Sequence, residues 1–279
     1  MLLEAVEHLR PMKGGAQSHL MRAEDGRFYV VKFRNNPQHA RVLANEWLAA
    51  RLAQALGMPV PEPAIIVVPE ALTANAPNLV LRIGGQTLRC APGQQFGSRL
   101  VGDDPEAPIY DYLPESALAT VKNLHDFWGL LLFDKWTCNC NGRQVVFRRP
   151  ARNQPLRVYA VDQGFCFNAG EWNFPDSPLR GVYGRNCVYR DILGWESFEP
   201  WLSRLETLPP SVIYSAGDEI PPAWYGDADD LLALLRQLVA RRDRVRRLVD
   251  AVRRSPRAPF PQWSEPADVA QARVHVVGE

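Results

Sequence analysis

No stretch of this 279-residue chain is apolar for long enough to cross a bilayer. The strongest run, Phe127 to Phe133, is far short of the roughly 20 residues that a helical span needs. Charge of one sign is also missing. Thirty-two basic residues face 31 acidic ones, a formal net charge of +1, which argues against a chain built mainly to bind nucleic acid or a membrane surface. Cysteine is scarce. Cys90, Cys138, Cys140, Cys166 and Cys187 are odd in number and lack paired spacing, so a disulfide framework is excluded and reduced thiols are expected. The N-terminus carries Glu4 and Glu7 where a secretory signal has basic residues. These absences together predict a soluble, cytoplasmic protein. No internal repeat is visible. Apolar material is plentiful: 46% of residues are hydrophobic and 10% aromatic, with eight Trp, which excludes disorder throughout. The length fits one large domain or two modest lobes.

Along the chain, Pro11 to Ser18 is a small-residue segment with a Gly-Gly pair. Strand-like runs follow at His19–Arg22 and Arg27–Phe33, and the Asp25-Gly26 between them signals a hairpin. Ala40 to Leu56 repeats apolar residues at helical spacing and stops at Gly57. Ala64–Val68 reads as a buried strand, with weaker strands at Leu79–Ile83 and Gln86–Cys90. Ala91 to Pro108 is rich in Gly, Pro and polar residues and is expected to hold a lobe boundary. The second half predicts one helix over Pro114–Phe133, an irregular stretch from Asp134 to Gly142, strands at Gln144–Phe147 and Arg157–Val161, and helices at Trp195–Leu205 and Asp229–Arg254. The resulting division is 1–95, 96–254 and an extended tail over 255–279.

Four features carry chemistry. Backbone N–H groups of Gly14, Gly15, Ala16, Gln17 and Ser18 can cradle phosphates because no bulky side chain blocks them; a simple flexible turn is the alternative. Lys32 interrupts an apolar strand, and Glu46 follows in the next helix. That order lets a carboxylate hold a lysine on nucleotide phosphates, although a solvated Lys and a surface Glu fit the pattern too. Asp134 and Asn139 suit a phosphoryl-transfer loop, the Asp orienting a hydroxyl and the Asn oxygen holding Mg²⁺; capping and turn roles also fit. Asp162 ends the strand Tyr159-Ala160-Val161 just before Gln163-Gly164. There a carboxylate requires a cation or hydrogen-bond donors.

The ordered set resembles the HipA-like kinases, distant relatives of protein and phosphatidylinositol kinases. The residues that carry the likeness are Gly26-Arg27-Phe28-Tyr29-Val30-Val31-Lys32, Asn45-Glu46, Phe133-Asp134-Lys135-Trp136 with Asn139, and Val161-Asp162-Gln163-Gly164, within about residues 12 to 254. The resemblance implies an α+β, two-lobed protein-kinase-like fold with a small β-rich N-lobe and a mainly helical C-lobe. It implies ATP and Mg²⁺ as cofactors and a protein Ser/Thr hydroxyl as acceptor. Lys32 would contact the α/β phosphates and be held by Glu46, Asp134 would be the catalytic base, and Asn139 and Asp162 would hold Mg²⁺. The sequence departs from protein kinases in having Leu132-Phe133 before Asp134, Asp-Gln-Gly as third motif, and no full G-x-G-x-x-G.

Two other classes stay open: a nucleotide-binding pseudokinase serving as a regulatory or interaction module, and a small-molecule kinase. A regulatory protein partner is also left open, while no membrane and no direct nucleic-acid contact are expected. The segment Trp172 to Trp201 reads as core or as a substrate platform, with Ser177, Tyr183 and Tyr189 as candidate phosphorylation sites. Eight arginines between Arg236 and Arg254 read as the solvated face of a lobe-closing helix or as an anion-binding surface. Cys138 and Cys140, with His125 and Cys187, have no structural-zinc spacing.

Overall fold

The structure, a computed structural model, describes residues 1–102 and 104–264. Five strands of its N-terminal lobe close into a barrel: β1 (Leu2–Pro11), β2 (His19–Ala23), β3 (Phe28–Lys32), β4 (Pro63–Val68) and β7 (Gly93–Arg99), in the order β1-β2-β3-β7-β4. β4 returns to β1 in parallel. The β2–β3 turn forms where Asp25-Gly26 predicts it. Gly26 takes φ +75°, and Ala23 N–H donates to the Arg27 carbonyl at 2.9 Å. Helix α1 (Val42–Ala55) stops at Gly57, whose φ of +73° is left-handed. After α2 (Glu70–Asn75), β5 (Val80–Ile83) and β6 (Gln86–Arg89) form a separate hairpin.

Two barrel strands lie outside the sequence reading. β1 has two register irregularities and exposes Leu2 and Val6, so its alternation never shows cleanly. β7 falls inside the stretch expected to be a polar boundary. Its sequence GQQFGSR has no β-branched residue, yet it is the barrel strand between β3 and β4. Gln95 is buried because its side chain accepts from Arg34 N–H and donates to the Ala91 and Pro92 carbonyls. At Gly97 a Cβ would lie 2.5 Å from Ile66, so only glycine lets the strands approach this closely.

The C-terminal lobe contains α3 (Glu115–Leu118), α4 (Asp126–Thr137), the hairpin β8 (Gln144–Arg148) and β9 (Arg157–Val161), then α5 (Trp201–Glu206), α6 (Pro210–Asp218), α7 (Ala228–Arg241) and α8 (Val245–Arg253). The helix expected over Pro114–Phe133 is broken. Lys122 N–H donates to the Leu156 carbonyl, and Asn123 bonds the Val158 backbone in both directions, so the chain between α3 and α4 ties itself to β9. The helix expected over Trp195–Leu205 is split at Pro200, which disfavours helical backbone at Glu199. α4 runs past Phe133 to Thr137, so Asp134 stands on a helix rather than on an irregular loop. Arg241 caps that helix by donating to the Lys135 and Trp136 carbonyls. None of the helices among the described residues is long and apolar enough to cross a membrane.

The barrel has its own core, which includes Met21, Tyr29, Val31, Phe33 and Ile66. A larger core fills the helical lobe and takes in α1 through Trp47, Leu48 and Leu52. Tyr183 and Tyr189 are buried in it, with Tyr189 Oη accepting from Tyr183 N–H, so neither is offered for modification in this conformation. Residues 255–264 of the expected tail lie against this lobe, where Phe260 is buried and stacked on Trp263; residues 265–279 fall outside the described residues.

His19 is buried in the barrel, hydrogen-bonded to His8 at 3.0 Å. Burial, with His8 adding to it, pushes its pKa down from 6.5 to about 4. The folded state therefore keeps His19 neutral while the unfolded chain takes up a proton near 6.5. Stability is full above that value and falls as pH drops from 6.5 towards 4. Thermal unfolding between pH 7 and 5 should show this loss, and His19→Gln should flatten it. An equally steep loss in the variant would place its origin elsewhere.

Candidate functional site

A cleft of about 420 Å³ opens between the lobes. Its walls come from the 12–18 loop, β3, α1, β7 and the segment after it, one face of β8, and the end of β9. Lys32 sits at its inner end. β3 places Lys32 opposite Phe96 of β7, and α1 brings Glu46 to it across the barrel wall. The Lys32 ammonium bonds Glu46 Oε1 and also Asp162 Oδ1, the latter at 2.6 Å. Burial opposes its charge, but the two carboxylates outweigh burial and raise its pKa. Burial also works against Asp162, and the neighbouring Lys32 still holds that carboxyl below its ordinary range. Glu46 is deeper. Burial raises its pKa despite Lys32, and it also accepts from Gly164 N–H at 2.8 Å. One ammonium thus binds carboxylates from two parts of the chain that lie 116 residues apart.

Asp162 has φ +58°, a left-handed backbone that is costly for a residue with a Cβ. Such strain at a cleft is retained where the surroundings enforce it. Here the surroundings are close-packed: a Cβ on Gly164 would lie 2.7 Å from Val42 and 3.3 Å from Glu46 Oε1. Asn45, beside Glu46, donates to the carbonyls of Gly164, Cys166 and Ala169 and accepts from Trp172 Nε1. α1 and residues 162–172 are therefore one hydrogen-bonded unit.

In the phosphate-loop segment, Gly14, Gly15, Ala16 and Ser18 line the cleft. Gly14 has φ +122°, and a Cβ on it or on Gly15 would meet no atom of the described residues within 4 Å, so this backbone is unobstructed on the cleft side. Gln17 is turned away. Its side chain makes a two-way bond with the Arg82 backbone and ties the loop to β5.

Asp134 and Asn139 are not brought to the cleft surface. Asp134 is 1% exposed, and both its oxygens are taken: Arg143 donates to each, and Asn139 Nδ2 donates to Oδ1 at 3.0 Å. A Cβ on Gly181 would come within 2.8 Å of Asp134 Cβ, which shows how closely that segment covers it. Asn139 Oδ1 accepts from Asn141 N–H at 3.1 Å. α4 ends at Cys138 in a left-handed conformation, and Asn139 N–H returns to the Asp134 carbonyl. The two residues shape the 138–143 turn from beneath. The residues of this region that do line the cleft are Asn141 and Gln144. Glu46 and Asp162 are the carboxylates among its described lining residues.

Arg143, which belongs to none of the four sequence features, joins the halves of the site. It pairs with Asp134, and its Nη1 donates to Gln163 Oε1 at 2.8 Å. Burial opposes its charge, and the Asp134 carboxylate raises its pKa regardless. A basic residue between Gly142 and an apolar strand was the available signal.

Residues 6–145 match the HipA-like kinase family. Among solved structures, the Helicobacter pylori proinflammatory kinase CtkA is similar with a TM-score of 0.57 at 14% identity, over 91% of this chain and 99% of that one. Hydra Fam20 with sugar gives 0.48 at 12% identity, over 89% and 86%. The Shewanella oneidensis HipA, HipB and operator DNA complex gives 0.45 at 13%, over 90% and 68%. No curated protein matches. The likeness to CtkA establishes a kinase-like fold with a β-rich N-lobe and a helical C-lobe.

Removing Asp134 leaves a buried guanidinium without its counter-ion, which costs about 3–5 kcal/mol. Asp134→Ala should lower stability by that order in denaturant unfolding. Asp134→Leu combined with Arg143→Met should recover a large part of the loss. A single variant within about 0.5 kcal/mol of the parent would contradict the buried pair.

Proposed function

Because the chain belongs to the HipA-like kinase family, we propose that its cleft binds Mg²⁺–ATP and transfers the γ-phosphoryl group to a hydroxyl, with Ser or Thr of a protein as the acceptor class. The observation that carries this reading is Lys32 held between Glu46 and Asp162 beside an open glycine loop. Lys32 binds phosphate oxygens, Glu46 fixes Lys32, and the backbone of Gly14, Gly15 and Ala16 cradles the phosphates.

The donor chemistry here suits a hard divalent cation. Asp162 is a carboxylate lining the cleft beside Lys32, and among the described residues no cluster of three or more His, Cys, Asp or Glu is arranged to hold a metal by itself. Asp162 would therefore hold Mg²⁺ together with phosphate oxygens, which is how Mg²⁺ is usually bound in phosphoryl-transfer sites. When bound, Mg²⁺ neutralises charge on the phosphates. Asn139 is buried with its oxygen engaged, so we assign it to shaping the turn rather than to the metal. Asp134 is assigned a positioning role through Arg143. Transfer through a loose transition state depends mainly on alignment and charge neutralisation, which this cleft supplies without a free base.

One observation favours a second reading, a nucleotide-binding pseudokinase. Asn141 and Gln144, both amides, line the wall beside Asp162 where a second free carboxylate would strengthen catalysis.

The two readings part in one experiment. The protein is incubated with Mg²⁺ and ATP and followed by thermal shift and intact mass, beside Lys32→Ala and Asp162→Ala. Nucleotide should stabilise the parent, and transfer to a hydroxyl acceptor or to the chain itself should fall at least about a hundredfold in both variants. Stabilisation without transfer on any acceptor supports the pseudokinase. No stabilisation by nucleotide removes both.

A further inference from the structure

Lys32 and Asp162 mark one end of the cleft, and the other end holds a charge that neither reading uses. Strand alternation puts Gln144, Val146 and Arg148 of β8 on one face, and all three line the cleft, while Val145 and Phe147 turn to the core. Gln144 pairs with Val161, next to Asp162, whereas Arg148 pairs with Arg157. Arg148 therefore stands about 13 Å further along the hairpin, at the end away from the phosphates. The β7 register agrees. Lys32 lies opposite Phe96, and six residues later Gly102 passes over Arg148, where a Cβ would come 3.8 Å from its Nε. Between the two ends the walls are apolar, from Val30, Val60, Phe96, Leu100, Ile109 and Val146, a slot suited to a flat ring.

Arg148 is 2% exposed. Its Nη2 donates to the Asp104 carbonyl, but among the described residues Nε and Nη1 have no hydrogen-bond partner. Arg10 approaches the same turn by donating to the Pro105 carbonyl, and the Asp104 carboxylate accepts from Glu106 N–H. Burial lowers the pKa of Arg148, and Arg10 adds to that while Asp104 opposes it. A buried cation with unmet donors is costly, and an acceptor that enters the cleft recovers that cost.

A nucleobase seated in the slot with its phosphates on Lys32 brings its polar edge to this end. A 6-aminopurine presents an amino group there, a donor facing a donor. A 6-oxopurine presents an acceptor, and arginine is the side chain that most often reads the guanine O6/N7 edge. We propose that Arg148 reads the base edge, and that the cleft admits a 6-oxopurine nucleoside triphosphate, GTP, alongside ATP. This rests on the nucleotide reading of the cleft and adds its base selectivity.

The test is calorimetric titration of the full chain with ATP, GTP, inosine triphosphate and 2,6-diaminopurine riboside triphosphate in Mg²⁺. The two 6-oxo nucleotides should bind at least as tightly as the two 6-amino ones. In Arg148→Met the GTP-to-ATP affinity ratio should fall by about tenfold or more, the loss of one charge-assisted hydrogen bond. Binding of the 6-amino pair alone, or an unchanged ratio in a folded Arg148→Met protein, overturns the proposal. If that variant does not fold, the four-nucleotide series on the parent chain decides. If none of the four binds, the nucleotide reading falls and base selectivity with it.

Discussion

The site depends on one buried ammonium shared by two carboxylates. Lys32, Glu46 and Asp162 come from a barrel strand, from the helix after it and from the end of β9, so no local segment can assemble them. The group is formally one charge negative. Burial penalises every member; the two carboxylates keep Lys32 charged, and Lys32, with Arg143 adding to it, keeps Asp162 ionised. A pair of this kind adds little to net stability compared with an apolar replacement. It does demand that three elements arrive together, and it holds an ammonium at the cleft's inner end.

A second buried network, built on Arg143, lies beneath the first. It fastens the turn after α4 through Asp134 and the Asp-Gln-Gly segment through Gln163. The order in space is therefore cleft, then Asp162 with Asn141 and Gln144, then Arg143 and Asp134. The 138–143 turn is held by charge from below rather than by contact with whatever binds above. A carboxylate with both oxygens occupied keeps a loop in place well and accepts a substrate proton poorly. That is the physical ground for separating Asp134 from the chemistry.

Much of the fold was legible because its signals are local. The Asp25-Gly26 hairpin, the apolar stripe of α1 with its glycine stop, and the β8–β9 pair all follow from turn chemistry and periodicity. What stayed hidden depends on distant partners. β7 is a strand because Gln95 and Gly97 satisfy the backbone and spacing of their neighbours, not because the residues favour extension. The Pro114–Phe133 periodicity is genuine, but Asn123 finds better partners on β9 than in a helix. In the site, the order Lys32, Glu46, Asp162 reads directly from sequence. The burial of Asp134 depends on Arg143, nine residues later, and spacing alone gave no sign that this arginine turns inward.

α1 explains why the two lobes share one site. It lies in sequence between barrel strands, yet Trp47, Leu48 and Leu52 belong to the core of the helical lobe. Asn45 and Glu46 bond the backbone of residues 164–169, and His39, just before the helix, bonds the Gly164 carbonyl at 2.8 Å. Glu46 and Asp162 are thus positioned by the same lobe, while Lys32 is presented by the barrel, whose core is separate. The ion pairs at Lys32 are therefore polar bonds made across the lobe boundary, inside the cleft itself. Any ligand that draws Lys32 onto its own anionic groups competes with those bonds, so ligand binding and the seating of the barrel on α1 are linked through a single side chain.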